Sequence, residues 1–288
     1  MQIKPAQVKE LRERTGAGMM DCKKALVEAG GDIDAASDLL RMAGQAKADR
    51  KASRIAAEGQ VLVASDPDGG HYALLEVNSE TDFVAKDENF RKFTALVGQA
   101  VLEHTPASVE ALMDLEFGGA TVSELRQGLI SKIGENVVVR RFSRLESQDT
   151  VGFYVHMDRI GVIVDLEGGS VELARDLAMH VAAASPSYVS IDDVPEDEIA
   201  RETEILAAQA AQTGKPEHII EKIVEGRLRK HFDEVTLTGQ QFVKDTDTKV
   251  GKLLAQNGAR VKRFVRFEVG EGIEKKQAGF GEEVAALL

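Results

Sequence analysis

The spacing of apolar residues at the start of the chain predicts three short helices. Val8 and Leu11 share one face of the first helix, which we expect to end before Gly16. Asp32 is a suitable N-cap for the third helix. The second helix carries apolar residues at i, i+3, i+4 and i+7 and ends at a glycine pair: Cys22, Ala25, Leu26, Ala29, Gly30 and Gly31. We therefore expect residues 1–45 to form a small three-helix domain.

Two adjacent methionines lie in the second predicted helix. Met19 and Met20 cannot share one helix face, because successive residues point in different directions. We expect one of them to pack inside the three-helix domain and the other to be exposed and adaptable.

Residues 46–58 are polar and rich in alanine, and they carry four basic side chains. Such a composition is typical of a linker or of an exposed basic helix that joins two domains, and both interpretations stay open. For the domain organisation we assign 46–58 as the linker.

The middle of the chain changes to an alternation of period two, which predicts β-strands. Two strands, at 60–64 and 72–77, flank a cluster of turn residues and form a hairpin. The elements predicted after the hairpin are a helix capped by Asp87, a helix at 122–133 and a strand at 136–146.

The same order of elements appears a second time. The predicted elements are strands at 151–156 and 160–166, helices at 171–184 and 249–256, and a strand at 260–269. The closing strands, 139–146 and 261–268, are identical at five of eight positions. We therefore predict an α+β fold with a duplicated core, whose subdomains span 59–146 and 147–269.

The second core subdomain contains an insertion at 190–235. Pro195 and Pro216 each begin an amphipathic helical stretch, which is where proline fits a helix start. The two helices predict an antiparallel helical hairpin that projects as an arm. Residues 270–288 form a C-terminal module in which we expect one more short helix.

Composition narrows the class of protein. The chain has 288 residues and a formal net charge of −12, which disfavours direct binding to nucleic acid. Cys22 is the only cysteine, so neither an intramolecular disulfide nor a multi-cysteine metal site can form. No apolar run resembles a signal peptide or a membrane span, so we expect a cytoplasmic protein with no membrane association.

A search for catalytic chemistry finds no phosphate-binding loop, dinucleotide fingerprint, nucleophile elbow or histidine pair at metal-ligand spacing. His180 and Cys22 lie on apolar helix faces, where we expect core residues. His156 ends a predicted strand and is either a surface residue or an interface contact. We therefore predict no enzymatic activity, no metal and no cofactor.

One polar connection, at 78–86, contains a bulky aromatic residue. In one interpretation Phe83 folds back under the hairpin and Asp82 caps a turn. In the other, Phe83 projects as an anchor into a pocket of a partner protein while Asp82 steers or bonds. The residue types alone favour local packing, because isolated apolar residues in loops usually pack locally.

Two segments make the sequence resemble the bacterial elongation factor Ts family, whose members exchange the nucleotide of elongation factor Tu. They are residues 11–26, LRERTGAGMMDCKKAL, and residues 76–86, EVNSETDFVAK. The resemblance covers nearly the whole chain. It implies a ubiquitin-associated-like N-terminal domain, a two-part core, a coiled-coil arm and a C-terminal module.

The resemblance also implies roles for individual residues. Thr81, Asp82, Phe83 and Val84 match a motif that enters the partner's GTP-binding domain. There the aromatic ring separates two helices and disturbs the bound Mg²⁺ and the phosphate-binding loop. Weaker candidates for partner contacts are Arg12, Met19, Met20, Lys23 and His156.

The function implied by the resemblance is guanine-nucleotide exchange in translation elongation. An alternative of a different class is a binding scaffold or chaperone-like protein that uses the helical arm and the N-terminal domain. Members of the family differ in whether they pair, so a homodimer also stays open.

Overall fold

The computed structural model describes residues 3–66, 68, 70–212 and 216–274, and within them it combines helices with small sheets. This confirms the predicted α+β class. The elements in the first half are α1 Pro5–Thr15, α2 Met19–Glu28, α3 Ile33–Lys51, β1 Glu58–Asp66, β2 His71–Ser79, α4 Asp82–Ala85, α5 Glu88–His104, α6 Val109–Met113, β3 Glu116–Phe117, β4 Ala120–Thr121, α7 Val122–Ile133 and β5 Val137–Glu146. Those in the second half are β6 Thr150–His156, β7 Ile160–Glu167, α8 Val171–Ala184, a 3₁₀ turn Ile191–Asp193, α9 Glu196–Ala211, α10 Glu217–Val235, β8 Gln241–Phe242, β9 Asp245–Lys249, α11 Val250–Gln256 and β10 Arg260–Glu268.

The chain forms two compact units. One comprises Met1–Leu145 and the segment that begins at Phe267, and the other is Glu146–Arg266. The sequence analysis assigned 267–269 to the second core subdomain, whereas in the structure these residues belong to the first unit. Two contacts hold this segment there: the Arg141 guanidinium lies 4.3 Å from the centre of the Phe267 ring, and the Gly270 amide donates a hydrogen bond to Glu76 at 2.7 Å.

The three predicted N-terminal helices are present, and their shared core contains Val8, Leu11, Cys22, Ala25, Leu26 and Ala36. Gly16 ends α1 with a φ of 68°, a left-handed conformation that glycine adopts without steric cost. The Asp32 side chain caps α3 by accepting a hydrogen bond from the Ala35 amide at 2.9 Å. Residues 46–51 continue α3, in line with the helical interpretation of 46–58, because Ala, Lys and Arg favour helix and Ala48 is buried.

Each unit contains a three-stranded sheet with the same connectivity. In the first unit the order is β1-β2-β5, and in the second it is β6-β7-β10. The first two strands of each sheet pair antiparallel, with Glu58 opposite Ser79 in one and Thr150 opposite Leu166 in the other. The closing strand is the neighbour of the second strand in both sheets. This common order supports the duplication inferred from the sequence.

One helix packs against the hairpin of each sheet. In the first unit α5 contributes Phe90, Phe93, Val97 and Val101 to a buried cluster that also contains Leu75 and Val77 of β2. In the second unit α8 contributes Leu173, Leu177 and Val181 to a cluster with Val162 and Val164 of β7. In both helices these apolar residues recur at intervals of three or four, as expected for one face of a helix.

The insertion forms the helices α9 and α10, which pack on one another. Pro195 and Pro216 are N-cap residues, so the two helices begin at Glu196 and Glu217, one position later than predicted from the sequence. Few side chains of these helices are buried: Leu206, Ala210 and Phe232. Residues 213–215, which connect the two predicted helices, lie outside the described residues, as do residues 275–288 of the predicted C-terminal module.

Candidate functional site

The connection between β2 and α5 is a short, regularly capped turn. Thr81 is the N-cap of α4, and its Oγ1 accepts a hydrogen bond from the Val84 amide at 3.4 Å. Asp87 is the N-cap of α5 and accepts hydrogen bonds from the Asn89 and Phe90 amides at 2.8 and 3.3 Å. The turn therefore has a defined backbone between two capped helix starts.

Phe83 and Val84 lie next to each other but have opposite surroundings. The Phe83 side chain is 80% exposed, so the interpretation in which it packs under the hairpin is wrong. Val84 is 8% exposed and belongs to the core cluster of the first unit. The prediction that Val84 contacts a partner is corrected accordingly, because its side chain attaches the turn to the core.

A charged pair lies beside the exposed ring. Asp82 Oδ2 accepts a hydrogen bond from Lys86 Nζ at 2.8 Å, and both side chains are largely solvent-accessible. An exposed pair at i and i+4 contributes only about 0.3–0.5 kcal/mol to stability. The contact with Lys86 by itself therefore holds the Asp82 side chain only weakly.

The turn is fixed by residues that the sequence analysis did not identify. Glu135 accepts two hydrogen bonds from Thr81, at 3.0 Å from its amide and 2.8 Å from its hydroxyl. Glu80 accepts one from the Asn136 amide at 2.6 Å. These residues are 54 or more positions apart, so no local pattern identifies them, although a Glu-Asn pair directly after the helix-ending Gly134 is a weak signal.

The N-terminal candidates lie on α1 and α2. Arg12, Met19, Met20 and Lys23 are all exposed. The expectation that one methionine packs inside is wrong, because the buried face of α2 consists of Cys22, Ala25 and Leu26, and the methionines occupy its first turn. Two flexible thioether side chains are therefore available on one helix end.

The remaining candidates lie in the core or in the second unit. His156 is exposed at the end of β6, with Nδ1 at 3.0 Å from the Tyr154 hydroxyl. His180 is fully buried, with Nε2 at 2.9 Å from Gln240 Oε1 and Nδ1 at 3.2 Å from the Val243 amide. Burial lowers the pKa of His180, and the hydrogen bond to Gln240 partly opposes that shift. Cys22 is buried, as expected.

Neither a metal centre nor a membrane-spanning segment was found in the described part of the chain. Groups of three or more His, Cys, Asp or Glu side chains placed to hold a metal do not occur there. The described helices are too short or too polar to cross a membrane.

Comparison with known proteins relates this arrangement to one family. The family model described as elongation factor TS matches residues 80–271, which include the turn and both sheets' closing strands. The chain is 59% identical to elongation factor Ts of Thioalkalivibrio sulfidiphilus over 99% of this chain and 98% of that protein. It is 53% identical to elongation factor Ts of Halorhodospira halophila over the full chain and 99% of that protein, and 54% identical to that of Methylococcus capsulatus with the same coverage. The chain belongs to the elongation factor Ts family.

Proposed function

We propose that this protein is a non-enzymatic guanine-nucleotide exchange factor that binds elongation factor Tu and promotes release of GDP during translation elongation. The observation that carries the proposal is the 80% exposure of Phe83 on a turn whose neighbouring residues are capped, hydrogen-bonded or buried. A large apolar side chain that is held out from a fixed backbone is typical of an interface anchor.

The mechanism follows from the charge of the nucleotide. We propose that the Phe83 ring enters the GTP-binding domain of elongation factor Tu between two helices, with Asp82 beside it, and disturbs the bound Mg²⁺ and the phosphate-binding loop. Mg²⁺ neutralises the phosphates, so its displacement weakens nucleotide binding. Linkage makes the effect reciprocal, since GDP then weakens binding of this protein by the same factor.

Other exposed groups would add contacts without taking part in displacement. We assign Arg12, Met19, Met20 and Lys23 to a second contact with the same domain, because they are exposed on α1 and α2. We assign His156 to a further contact through the second unit. Thr81 supports the turn from within, because its hydroxyl already serves Val84 and Glu135.

The experiment is stopped-flow release of a fluorescent GDP analogue from elongation factor Tu. An exchange factor accelerates release when it is present in amounts well below those of elongation factor Tu. A binding scaffold of the kind considered above binds one-to-one and leaves the rate at its spontaneous value, which would overturn the proposal.

Truncation of the anchor tests the residue assignment in the same assay. Phe83→Ala removes the exposed ring and no core contact, so folding should be preserved. Loss of an interface anchor of this kind corresponds to roughly 2–4 kcal/mol, or about 30- to 1000-fold in exchange efficiency. A variant that exchanges normally would refute the assignment.

A further inference from the structure

A network of hydrogen bonds holds the start of the turn, at Thr81. Glu135 follows the C-terminal end of α7, and its two carboxylate oxygens bind one residue, Thr81. Oε2 accepts from the Thr81 amide at 3.0 Å and Oε1 accepts from its hydroxyl at 2.8 Å. Hydrogen bonds to an ionised carboxylate are about twice as strong as bonds between neutral groups.

A second hydrogen bond joins the same two segments, with the donor now on the segment that follows α7. Glu80 Oε1 accepts from the Asn136 amide at 2.6 Å, so the Glu80–Thr81 and Glu135–Asn136 pairs bind each other reciprocally. Arg54 joins both pairs, since its carbonyl accepts from Asn136 Nδ2 at 2.9 Å and its guanidinium lies 3.4 Å from Glu80 Oε2. We call these five residues the brace: Arg54, Glu80, Thr81, Glu135 and Asn136.

The brace acts at the residue that begins α4. Thr81 Oγ1 donates to Glu135 while it accepts from the Val84 amide, so one hydroxyl joins the brace to the helical turn. Phe83 lies between Thr81 and the buried Val84. The backbone on both sides of the exposed ring is therefore fixed, although the ring itself has few contacts in the protein.

We propose that Glu135 is a positioning residue for nucleotide exchange, because it fixes the Thr81–Val84 turn so that Phe83 is already oriented before the partner binds. This inference rests on the proposed function. Ordering a flexible segment on binding costs free energy, and a segment that is already ordered avoids that cost. A loosened turn would present Phe83 correctly in only a fraction of molecules and lower the apparent affinity by that fraction.

The first test measures the turn without the partner. The chain contains no tryptophan, so Phe83→Trp introduces a single fluorescent reporter at the exposed position. Time-resolved anisotropy of that indole should show a larger nanosecond segmental amplitude when Glu135→Ala is added. Glu103→Ala, which removes an exposed carboxylate bound by Gln99, should leave the amplitude unchanged. Equal amplitudes in all three proteins would overturn the proposal.

The second test is a double-mutant cycle in the GDP-release assay. We expect Glu135→Ala to lower exchange efficiency about tenfold or more, mainly through a higher half-saturating concentration, whereas Glu103→Ala has no effect. In a Phe83→Ala background the same change should cost less than about twofold, because no anchor is left to position. A purely structural role would give the same loss in both backgrounds and would contradict the proposal.

If Glu135→Ala folds poorly, substitutions of its hydrogen-bond partner Thr81 provide the same test. Thr81→Ser retains both donors and should exchange more efficiently than Thr81→Val, which removes the hydroxyl at nearly constant shape and should behave like Glu135→Ala. Equal activity of the two Thr81 variants would overturn the inference. If wild type itself fails to accelerate release, the proposed function fails, and the anisotropy result still decides whether Glu135 orders the turn.

Discussion

The two sheets of this protein share one connectivity, but the connection from the second strand to the first helix differs between them. In the second unit Ser170 caps α8 directly and accepts a hydrogen bond from the Leu173 amide at 3.1 Å. In the first unit Thr81 caps the four-residue α4, and α5 begins only at Glu88. Between β7 and α8 the second repeat has no counterpart of α4, so the turn that carries Phe83 is not required by the architecture. This difference is our strongest reason for treating it as a functional addition.

A buried carboxylate is common to both repeats. Glu76 on β2 forms ion pairs with two arginines of β5, Arg140 at 3.0 Å and Arg141 at 2.6 Å. Asp165 on β7 forms an ion pair with Arg263 of β10 at 3.4 Å. The cations come from the matching octapeptides of the closing strands, so the repeated sequence corresponds to a repeated ion pair. The two repeats therefore share this ion-paired framework, whereas only the first contains α4.

Among the substitutions that distinguish the two repeats, we expect the largest loss of stability when the buried carboxylate is removed. Glu76→Ala should lower the free energy of unfolding by about 3–5 kcal/mol, because it leaves two arginines that are only 24% and 30% exposed without their buried partner. Asp165→Ala should cost less, since Arg263 is 51% exposed and can be hydrated. Denaturant unfolding of both variants measures the difference, and a larger loss for Asp165→Ala would contradict this ranking.

A smaller effect is expected where helix and strand approach closely. A Cβ at Gly152 of β6 would lie 2.4 Å from the backbone of α8, whereas one at Gly98 of α5 would lie 3.1–3.3 Å from side chains of β1 and β2. Gly152→Ala should therefore destabilise by about 3 kcal/mol. Gly98→Ala should be nearly neutral, because better helix propensity offsets the tighter contact. Thermal unfolding compares the two, and equal losses would refute the distinction.

The smallest effect that we expect is a difference between the two units in the pH at which acid begins to lower their stability. The folded-state pKa of His180 is below its ordinary 6.5, so the unfolded chain binds the proton more strongly and stability falls as the pH drops below about 6.5. For Glu76 burial would raise the pKa, but hydrogen bonds from the Gly270 amide, from Asn78 and from two arginines hold it below its ordinary 4.5. Its contribution is therefore lost only as the pH falls below about 4.5.

Hydrogen exchange resolved by segment tests this difference. After correction for intrinsic rates, α8 should begin to lose protection as the pH falls below about 6.5, while β2 should keep its protection until the pH falls below about 4.5. His180→Asn retains an acceptor near the position of Nδ1 and removes the titration, so it should flatten the change in α8. Loss of protection in β2 before α8 would contradict the assignment.

The longer elements could be predicted from the sequence because their apolar periodicity coincides with clear caps. The bounds of α7 and α8 agree with prediction, and Asp32 and Asp87 cap the helices expected of them. The two-residue strands β3, β4 and β8 escaped prediction, because they are too short to show any period.

The site was less predictable than the fold. Phe83 is exposed and Val84 is buried because one side of a single turn faces the core. The local sequence pattern does not reveal which side that is. The carboxylate of Glu135 reaches Thr81 only through the tertiary fold, since 54 positions separate them. A resemblance to a family can mark the motif, but the residues that support it require coordinates.

The most direct test of the account compares the two repeats within one assay. GDP release from elongation factor Tu is followed with substoichiometric wild type, Phe83→Ala and Val171→Ala. Val171 is the control because it is the exposed apolar residue at the start of α8, with 64% of its side chain accessible.

We expect wild type and Val171→Ala to accelerate release equally and Phe83→Ala to be about 30- to 1000-fold less efficient, with all three chains equally folded. Normal exchange by Phe83→Ala, or equal impairment of the two variants, would contradict the claim that the added turn of the first repeat carries the function.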